Sequence, residues 1–515
     1  MARLAAAPRS RATAPGLLTR RSALFLPALA ALLAALPARA QDADAPPPPP
    51  PLVTGGFGIP NPSSLFGNQA GIYGGIGFGQ LGSGDWWLQA TADVSFSIGP
   101  VSLGLALPID LLVWNDDSSG CASAPVGPCS RSDKAYGGIL RRRDWDELSD
   151  YARLIRYVQY GHKRDAGFYG LFGQEWDSSI GHGTIVSHYN NSLQLDHPKA
   201  GLAFDYNGQY WGIETLTDEL TGPDLIAARA YVRPFGGTPV LRGWAIGATF
   251  AADIHAPRAL VMQSGPNGLQ LAQDSTGSPI VAWEQVAAVW GMDTEYELLS
   301  NSFIHLIPYL DLNRIAGAGN GAHLGIMTQI LLPIPILDVR LDAKLEYRWM
   351  QSGYIPEYFD QVYDLGRVQY ARIGPSGLYY EPKAQAAREM RNDPNIGNQG
   401  YYGELGFNFA GWVQVGGSLA DSQSDDGGSL GLYVTLPKIK FLKVQGYYLR
   451  KNFAGLADAF TLDERSLLGG SVAYAIYGPL YLRLDYQRTW ALNPNDQHIE
   501  AVSTYNIGVA TSFSF

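Results

Sequence analysis

Cysteine is nearly absent from this chain, which has two among its 515 residues. Cys121 and Cys129 lie close together among Ser, Gly, Pro and Asp. Two cysteines alone make a poor metal site, so a thiolate zinc centre is not expected. In an exported chain such a pair is typical of a disulfide that closes a loop, and we predict that Cys121 and Cys129 form one.

The N-terminus has the features of an export signal. Arg20 and Arg21 precede an apolar run, and Ala38-Arg39-Ala40 supplies the small-x-small pattern of a cleavage site. We therefore predict a signal peptide over residues 1–40. No cysteine stands at the predicted cleavage site, so a lipoprotein anchor is not expected.

Basic charge and long apolar runs are both lacking after the predicted signal peptide. The net charge of the chain is −10, and removing the six arginines of the signal peptide changes it to about −16. This balance disfavours nucleic acid as a partner, because the phosphate backbone requires a basic face. No segment approaches the roughly 20 consecutive apolar residues of a membrane helix, which excludes a helical membrane protein.

The chain is rich in glycine, tyrosine and tryptophan, with 60, 29 and 12 residues. It also contains stretches in which apolar and polar residues alternate strictly. The stretch LDVRLDAKLEYRW, residues 337–349, places six charges of alternating sign between apolar residues. A two-residue period is typical of a β-strand, whose successive side chains point to opposite faces. One face here is apolar and the other is charged, so the strand separates two different solvents.

The same alternation returns from about Gln69 to the C-terminus. Links after even-numbered strands are short, whereas several links after odd-numbered strands are long: 115–149, 175–198, 256–279 and 351–399. Short and long connections at opposite ends are typical of a membrane barrel with periplasmic turns and extracellular loops. We predict an all-β fold over residues 69–515: a transmembrane antiparallel up-and-down β-barrel of about 20 strands, within a range of about 16 to 22.

The C-terminal stretch TYNIGVATSFSF alternates in the same way and ends in phenylalanine. This last strand resembles the insertion signal of Gram-negative bacterial outer-membrane β-barrel proteins, which are porin-like, with Phe513 and Phe515 as the signal residues. The resemblance implies localisation in the outer membrane, contact with its lipid and lipopolysaccharide, and recognition by the barrel assembly machinery. Residues 41–68, which include six consecutive prolines, are then expected to form a periplasmic spacer.

In such a barrel the apolar strand face contacts lipid and the charged face lines a wet interior. Turning a central Arg or Lys toward lipid would cost about 2–4 kcal/mol, which forbids the opposite orientation. The predicted lumen-lining residues are Asp338, Arg340, Asp342, Lys344, Glu346, Arg348, Arg483, Asp485, Asp293, Glu295 and Arg229.

A barrel of this size encloses more space than its own side chains fill, so it is either a channel or filled. The segment between residue 41 and the first strand is too short for the plug of a TonB-dependent receptor. We therefore expect a loop that folds inward, and residues 175–199 are the best candidate. The predicted constriction residues are His182, His188, Asn190 and Asn191.

The same loop raises two chemical alternatives. The spacing of His182, His188 and His197 matches no established metal-ligand pattern, so no metal or other cofactor is predicted. The sequence HYNNS, residues 188–192, invites comparison with outer-membrane hydrolases that pair a His with a Ser. An extended chain would hold His188 and Ser192 about 13 Å apart, which is too far for a base and its nucleophile.

We therefore expect an outer-membrane channel or transporter for small hydrophilic solutes, without enzymatic activity. The alternative is an adhesin or assembly scaffold that acts through its loops and has a filled barrel, and a lipid hydrolase is less favoured. Acidic positions outnumber basic ones on the predicted interior faces outside residues 337–349, which predicts a mild cation preference if the lumen is open.

Overall fold

The structure is a computed structural model, and it describes most of the chain from residue 71 onward. The described residues are 59–60, 65, 71–81, 85–114, 140–141, 145, 151, 154–163, 165–175, 177–193, 199–265, 268–272, 280–334, 337–368, 370–374, 377–391, 399–423, 427–437, 439–463, 465–492 and 499–514. The predicted signal peptide, the predicted Cys121–Cys129 disulfide, His197 and Phe515 lie outside these ranges, and the predicted domain boundaries stay predictions.

Most of the described residues form β-strands. Their bounds are β1 Gly71–Leu81, β2 Asp85–Ile98, β3 Val101–Trp114, β4 Ile155–Tyr160, β5 Gly167–Gly173, β6 Gly201–Asn207, β7 Trp211–Thr217, β8 Leu225–Val232, β9 Trp244–Leu260, β10 Met262–Gly265, β11 Gly268–Leu271, β12 Val281–Tyr296, β13 Leu299–Ser300, β14 Ile304–Ile315, β15 Asn320–Ile334, β16 Leu337–Met350, β17 Tyr370–Gly374, β18 Gly377–Glu381, β19 Gln399–Phe409, β20 Val413–Ser422, β21 Gly428–Leu436, β22 Leu442–Phe453, β23 Ser466–Tyr477, β24 Leu480–Leu492 and β25 Ile499–Ser514. Two short helices, α1 (Tyr363–Gly366) and α2 (Lys383–Met390), and a 3-10 turn at Leu456–Asp458 complete the elements.

Twenty of these strands close into one antiparallel ring. Each pairs with the next barrel strand along the chain, and β1 pairs with β25, for example Gly71 with Ser514. The two-residue β13 is the remaining member of the 21-stranded sheet, while β10–β11 and β17–β18 are separate hairpins in the connections. The predicted all-β antiparallel barrel of about 20 strands is therefore confirmed.

The connections alternate in length around the ring. At one end the links are short, such as Gly99-Pro100 between β2 and β3 and Gly478-Pro479 between β23 and β24. At the other end lie the long connections, residues 115–154, 174–200, 261–280 and 351–398. The third of these begins later than the predicted 256, because β9 continues to Leu260 and keeps its ladder with β12.

Side-chain alternation gives the ring an apolar outer surface. On β16, Leu345 is 60% exposed, whereas the adjacent Glu346 is 4% exposed and points inward. Outward apolar residues recur at similar depth on other strands: Ile76, Leu107, Phe204, Ile226, Phe250, Met292, Leu312, Leu324, Leu405, Leu432, Val472, Leu482, Leu484 and Ile507. Exposed aromatic residues lie near both ends of the strands, among them Tyr347, Trp349, Tyr401, Trp211, Trp412 and Tyr477. An apolar band between aromatic girdles is the lipid-facing surface of a transmembrane barrel.

The described residues contain no helix long and apolar enough to cross a membrane.

The hydrophobic core of this protein lies inside the ring. Two connections fold into the lumen and pack against inward-facing wall residues such as Leu225, Val289 and Ile315. Helix α2 begins directly after Pro382, and proline is well tolerated at the start of a helix. Its buried residues Ala384, Ala387 and Met390 belong to the same core, so the helix packs in the lumen.

Candidate functional site

Two connections occupy the lumen, and they are called inner loop A and inner loop B. Inner loop A joins β5 to β6 and spans residues 174–200, and inner loop B joins β16 to β19 and spans residues 351–398. In inner loop A nearly every described residue from Ser178 to Leu193 is buried. The loop predicted to fold inward from its length and composition is therefore located inside the barrel.

Inner loop A is a compact hairpin. The backbone N–H of Ser178 donates to the carbonyl of Tyr189 at 3.0 Å, and the N–H of Tyr189 donates back at 2.9 Å. At the tip, Gly181 (φ +58°) and Gly183 (φ +75°) adopt left-handed backbone conformations, which glycine accepts without a Cβ penalty. These two glycines enclose His182 in a tight turn and direct its side chain to the wall.

His182 holds the tip of inner loop A against the wall. Its Nδ1 donates to Asp311 Oδ1 on β14 and its Nε2 donates to Glu295 Oε2 on β12, both at 2.7 Å. The ring also stacks on Tyr309, with 4.1 Å between ring centroids. Because both nitrogens face carboxylates, both must carry protons and the ring is an imidazolium. Burial would lower the pKa of His182, but the charge of Asp311 and the hydrogen bonds to both carboxylates raise it to about 10.

His188 makes a second contact of the same kind at the other end of the hairpin. Its Nδ1 bonds Asp177 of the same loop at 2.5 Å, and its Nε2 bonds Glu404 on β19 at 3.0 Å. Burial opposes protonation here too, yet the charges of Asp177 and Glu404 raise the pKa of His188 to about 10. Two imidazolium groups therefore fix inner loop A to two distant parts of the wall.

The base of inner loop A is held by neutral hydrogen bonds. Asn191 Oδ1 accepts from the backbone N–H of Glu175 at 2.8 Å, and Asn191 Nδ2 donates to the carbonyl of Asp218 at 2.9 Å. Asn190 Oδ1 accepts from the backbone N–H of Ser192 at 2.8 Å. Of the predicted constriction residues, the two histidines thus contact the wall through their side chains, and the two asparagines shape the loop.

Inner loop B pairs directly with inner loop A. Ser187 N–H donates to the carbonyl of Phe359 at 2.9 Å, and Phe359 N–H donates to the carbonyl of Ile185 at 3.0 Å, so the two loops form a short parallel bridge. On the wall side, Glu357 accepts from Arg348 at 3.0 Å. The loops therefore form one unit inside the ring, and its wall contacts extend from Glu214 on β7 to Tyr433 on β21.

The predicted lumen-lining charges divide into three groups. Arg229, Asp293 and Glu295 are inward and covered by the tip of inner loop A, where Arg229 bonds Asp293 and Glu214. On β16, Lys344, Glu346 and Arg348 form a buried ion-pair row beneath inner loop B, with Asp342 and Arg340 nearer the strand's start. Arg483 and Asp485 pair at 2.8 Å and line an open cavity, whereas Asp338 is exposed at the end of its strand.

An apolar constriction lies on the opposite side of the lumen. Five buried residues form it: Ile59, from before β1, Leu193, from inner loop A, and Tyr433, Leu449 and Leu467, from β21 to β23. Ile59 falls in the segment expected to be a periplasmic spacer, and the structure places it inside the ring. Neither Ile59 nor Leu193 was predicted as a site residue, because a single apolar residue in a Pro- or polar-rich segment gives no periodic signal.

The constriction lies between two cavities, each of which is lined by both polar and apolar residues. The inner cavity, of about 200 Å³, is bounded by Ile59 and Leu193 and the outer cavity, of about 120 Å³, by Leu449 and Leu467. Polar residues lining the inner cavity are Gln89, Asp110, Gln445, Ser471, Arg483, Asp485, Gln487, Thr504 and Asn506. The outer cavity lies between inner loop B and the extracellular ends of β22 to β24.

The side-chain contacts of inner loop A bear on the two chemical alternatives raised by its sequence, a hydrolase and a metal site. Both nitrogens of His188 are occupied by carboxylates, and Ser192 Oγ donates to Asn191 Oδ1 at 2.9 Å, so the two side chains do not form a nucleophile and base pair. Within the described ranges, no group of three or more His, Cys, Asp or Glu side chains is arranged to hold a metal ion.

The lipid-facing band, the closed ring and the charged side chains on its inner wall define the class of this protein: it is a β-barrel of the Gram-negative outer membrane. Phe513 lies on the last strand, paired with Ile72 and exposed on the lipid face.

Comparison with known proteins gives weak similarity to solved β-barrel structures. No family model and no curated protein matches the chain. Among solved structures, Wzi of Escherichia coli, an outer-membrane protein involved in group 1 capsule assembly and a carbohydrate-binding β-barrel, is 11% identical, with a TM-score of 0.32 over 88% of this chain and 86% of Wzi. OccK9 (OpdG) of Pseudomonas aeruginosa is 12% identical, with a TM-score of 0.29 over 87% and 97% of the two chains. The ferric-catecholate import receptor Fiu of E. coli K12 is 9% identical, with a TM-score of 0.34 over 87% and 82%. These values are too low to assign this chain the activity of any of the three.

Proposed function

We propose that this protein is a constricted outer-membrane channel for small hydrophilic solutes. The observation that carries the proposal is the pair of cavities along β22 to β24, which lie on either side of the five-residue apolar constriction. A narrow apolar segment between two wet spaces is a known way to gate conduction, because water leaves it easily. The solute path would run along β22 to β24.

The channel is proposed in place of a hydrolase because His188 and Ser192 are each engaged elsewhere. Insertion through the barrel assembly machinery, by the last strand, which contains Phe513, and contact with lipid and lipopolysaccharide are part of the same proposal.

A filled scaffold or adhesin is the second candidate. The observation in its favour is the extent of packing: inner loops A and B and Ile59 all contribute to cores inside the ring. A scaffold would carry no current, because its lumen would stay sealed at the constriction.

Planar-bilayer recordings with the full chain separate the two candidates. We expect small currents from the wild type and several-fold larger ones after residues 178–193 are replaced by a short Gly-Ser link, because this removes His182, His188 and Leu193 together. The matched control deletes the outer hairpin β10–β11, Met262–Leu271, and should conduct like the wild type. Folded protein that carries no current in either the wild-type or the 178–193 variant would exclude the channel and favour the scaffold.

A further inference from the structure

The outer cavity contains an unusual arrangement of charge. Lys383, at the start of α2, and Lys451, on β22, both donate to the same oxygen of Asp360, at 3.2 and 2.6 Å. The two ammonium groups are therefore within about 6 Å of each other. One carboxylate cannot neutralise two cations, so this part of the cavity wall has an excess of positive charge.

The other charges beside the cavity compensate one another. Arg465 bonds Asp463 and Asp458, which belong to the same outer turn. In the adjoining cavity, Arg348 bonds Glu357 and Glu346, while the carboxylate of Asp421 accepts from the hydroxyl of Tyr401. In the outer cavity itself, the excess belongs to the two lysines around Asp360.

Lys383 is fixed in place. Its side chain is 3% exposed, its Nζ also donates to the carbonyl of Tyr358 at 2.7 Å, and the rings of Tyr358, Tyr363 and Tyr370 lie within 5.1 to 5.8 Å of Nζ. Burial lowers the pKa of Lys383, the charge of Asp360 raises it and the charge of Lys451 lowers it again, and the balance is below the ordinary lysine value. The buried cation is thus stabilised incompletely by the protein, and an added anion would stabilise it further.

The cavity has the room and the partners that a small oxyanion requires. Its volume of about 120 Å³ is several times the roughly 30 Å³ of one water molecule. Asn452 lines the same space as the lysines, and its Nδ2, which bonds the carbonyl of Ala371 through one hydrogen at 2.7 Å, has a second hydrogen for a ligand. Lys451 is 27% exposed, so it is reachable from the extracellular side of the cavity.

We propose that the outer cavity binds a small oxyanion, a carboxylate or a phosphate, between Lys383 and Lys451. The role of this site rests on the proposed channel: an anion site at the outer entrance would select anionic solutes before they reach the constriction. This assignment is opposite in sign to the cation preference expected from the sequence.

Isothermal titration of inorganic phosphate into the detergent-solubilised full chain tests the site. Lys451→Gln should weaken binding about tenfold or more, because it removes one charged donor. Asp360→Asn should tighten binding several-fold, because it removes the competing carboxylate while its Oδ1 still accepts from Val362 N–H. The control is Lys443→Gln, which removes a lysine on the same strand about 26 Å away and should bind like the wild type.

The pair of opposite effects is the decisive result, because a purely structural role would weaken binding in both variants. No heat from wild-type protein, or an equal loss in the Lys443 and Lys451 variants, would overturn the site. Bilayer currents are recorded separately. Phosphate binding without current supports the oxyanion site and removes the channel, whereas current without phosphate binding removes the site alone.

Discussion

At the residue scale, His182 shows how one side chain can hold a loop inside a barrel. It places a buried positive charge between Asp311 and Glu295. Without it, Asp311 would keep the neutral hydrogen bond from Thr184, and Glu295 would keep a longer contact with Arg229, at 3.8 Å. Removing one member of a buried ion pair typically costs about 3–5 kcal/mol, because the remaining charge stays desolvated. The docked position of inner loop A therefore depends strongly on this ring.

His182→Gln should release the tip of inner loop A. Glutamine keeps one donor group but carries no charge, so the variant should show larger and more frequent channel openings in bilayer recordings. The control is His255→Gln, since His255 is about half exposed and bonds Asp224 at the surface. Equal conductance in His182→Gln and wild type would show that this histidine does not hold the constriction.

The same histidines predict a dependence on pH. Because the pKa values of His182 and His188 are raised from 6.5 to about 10, their ion pairs stabilise the docked loop fully below about 6.5 and lose this contribution as pH rises through about 10. Conductance should be constant near neutral pH and increase around pH 10. The His182→Gln/His188→Gln double variant should lack this increase, and a wild-type increase on acidification alone would contradict the assignment.

The histidines also offset part of the negative charge behind the expected cation preference, which stays a prediction. The sequence count treats histidine as neutral, but His182 pairs Glu295 and His188 pairs Glu404, two of the acids on which that count depended. The protonation state of a histidine ring depends on partners that are distant in the sequence, such as Asp311 for His182. The alternation of apolar and polar residues contains no information about these partners.

At the element scale, β16 was predictable almost completely. The two-residue period of its sequence assigned one face to lipid and the other to the lumen, since exchanging the two faces would expose Lys344, Glu346 and Arg348 to lipid. The start of the third long connection was less predictable, because the alternation near Ala256 is interrupted although the ladder to β12 continues. The packing of α2 in the lumen was not predicted, since its short apolar face fits a surface position equally well.

Leu345→Arg tests the lipid face of β16. The side chain lies near the middle of the strand, so we expect the free energy of unfolding to fall by about 2–4 kcal/mol. Leu337→Arg, at the end of the same strand, should cost about 0–1 kcal/mol, because arginine can reach the headgroups there. Urea titration of the barrel folded into lipid vesicles measures both, and equal costs would contradict the assigned depth.

At the scale of the whole molecule, the constriction joins parts of the chain that no local pattern connects. Ile59 precedes the barrel and Leu193 comes from inner loop A, whereas Leu449 and Leu467 come from the last third of the chain. The barrel was predictable because the sequence of each strand shows which of its faces is apolar and which is polar. The constriction was not, because it exists only after two loops and the segment before β1 have entered the same lumen.

Ile59→Asn should make the constriction easier to hydrate. The side chain is 2% exposed among apolar neighbours, so an amide there would draw water between the inner and outer cavities. We expect a higher open probability than in the wild type, with Leu140→Asn, at an exposed position, as the control. Unchanged gating in Ile59→Asn would place the conduction barrier elsewhere.

Ile59 belongs to one buried cluster with Leu449 and Leu467, although it enters the lumen from a different direction than the inner loops. Strand β1 begins at the end of the ring where the short turns lie, so the segment before it reaches the cluster from that end, whereas inner loops A and B enter from the opposite end. The cylinder is therefore filled from both of its ends, and each end contributes a residue to the same constriction.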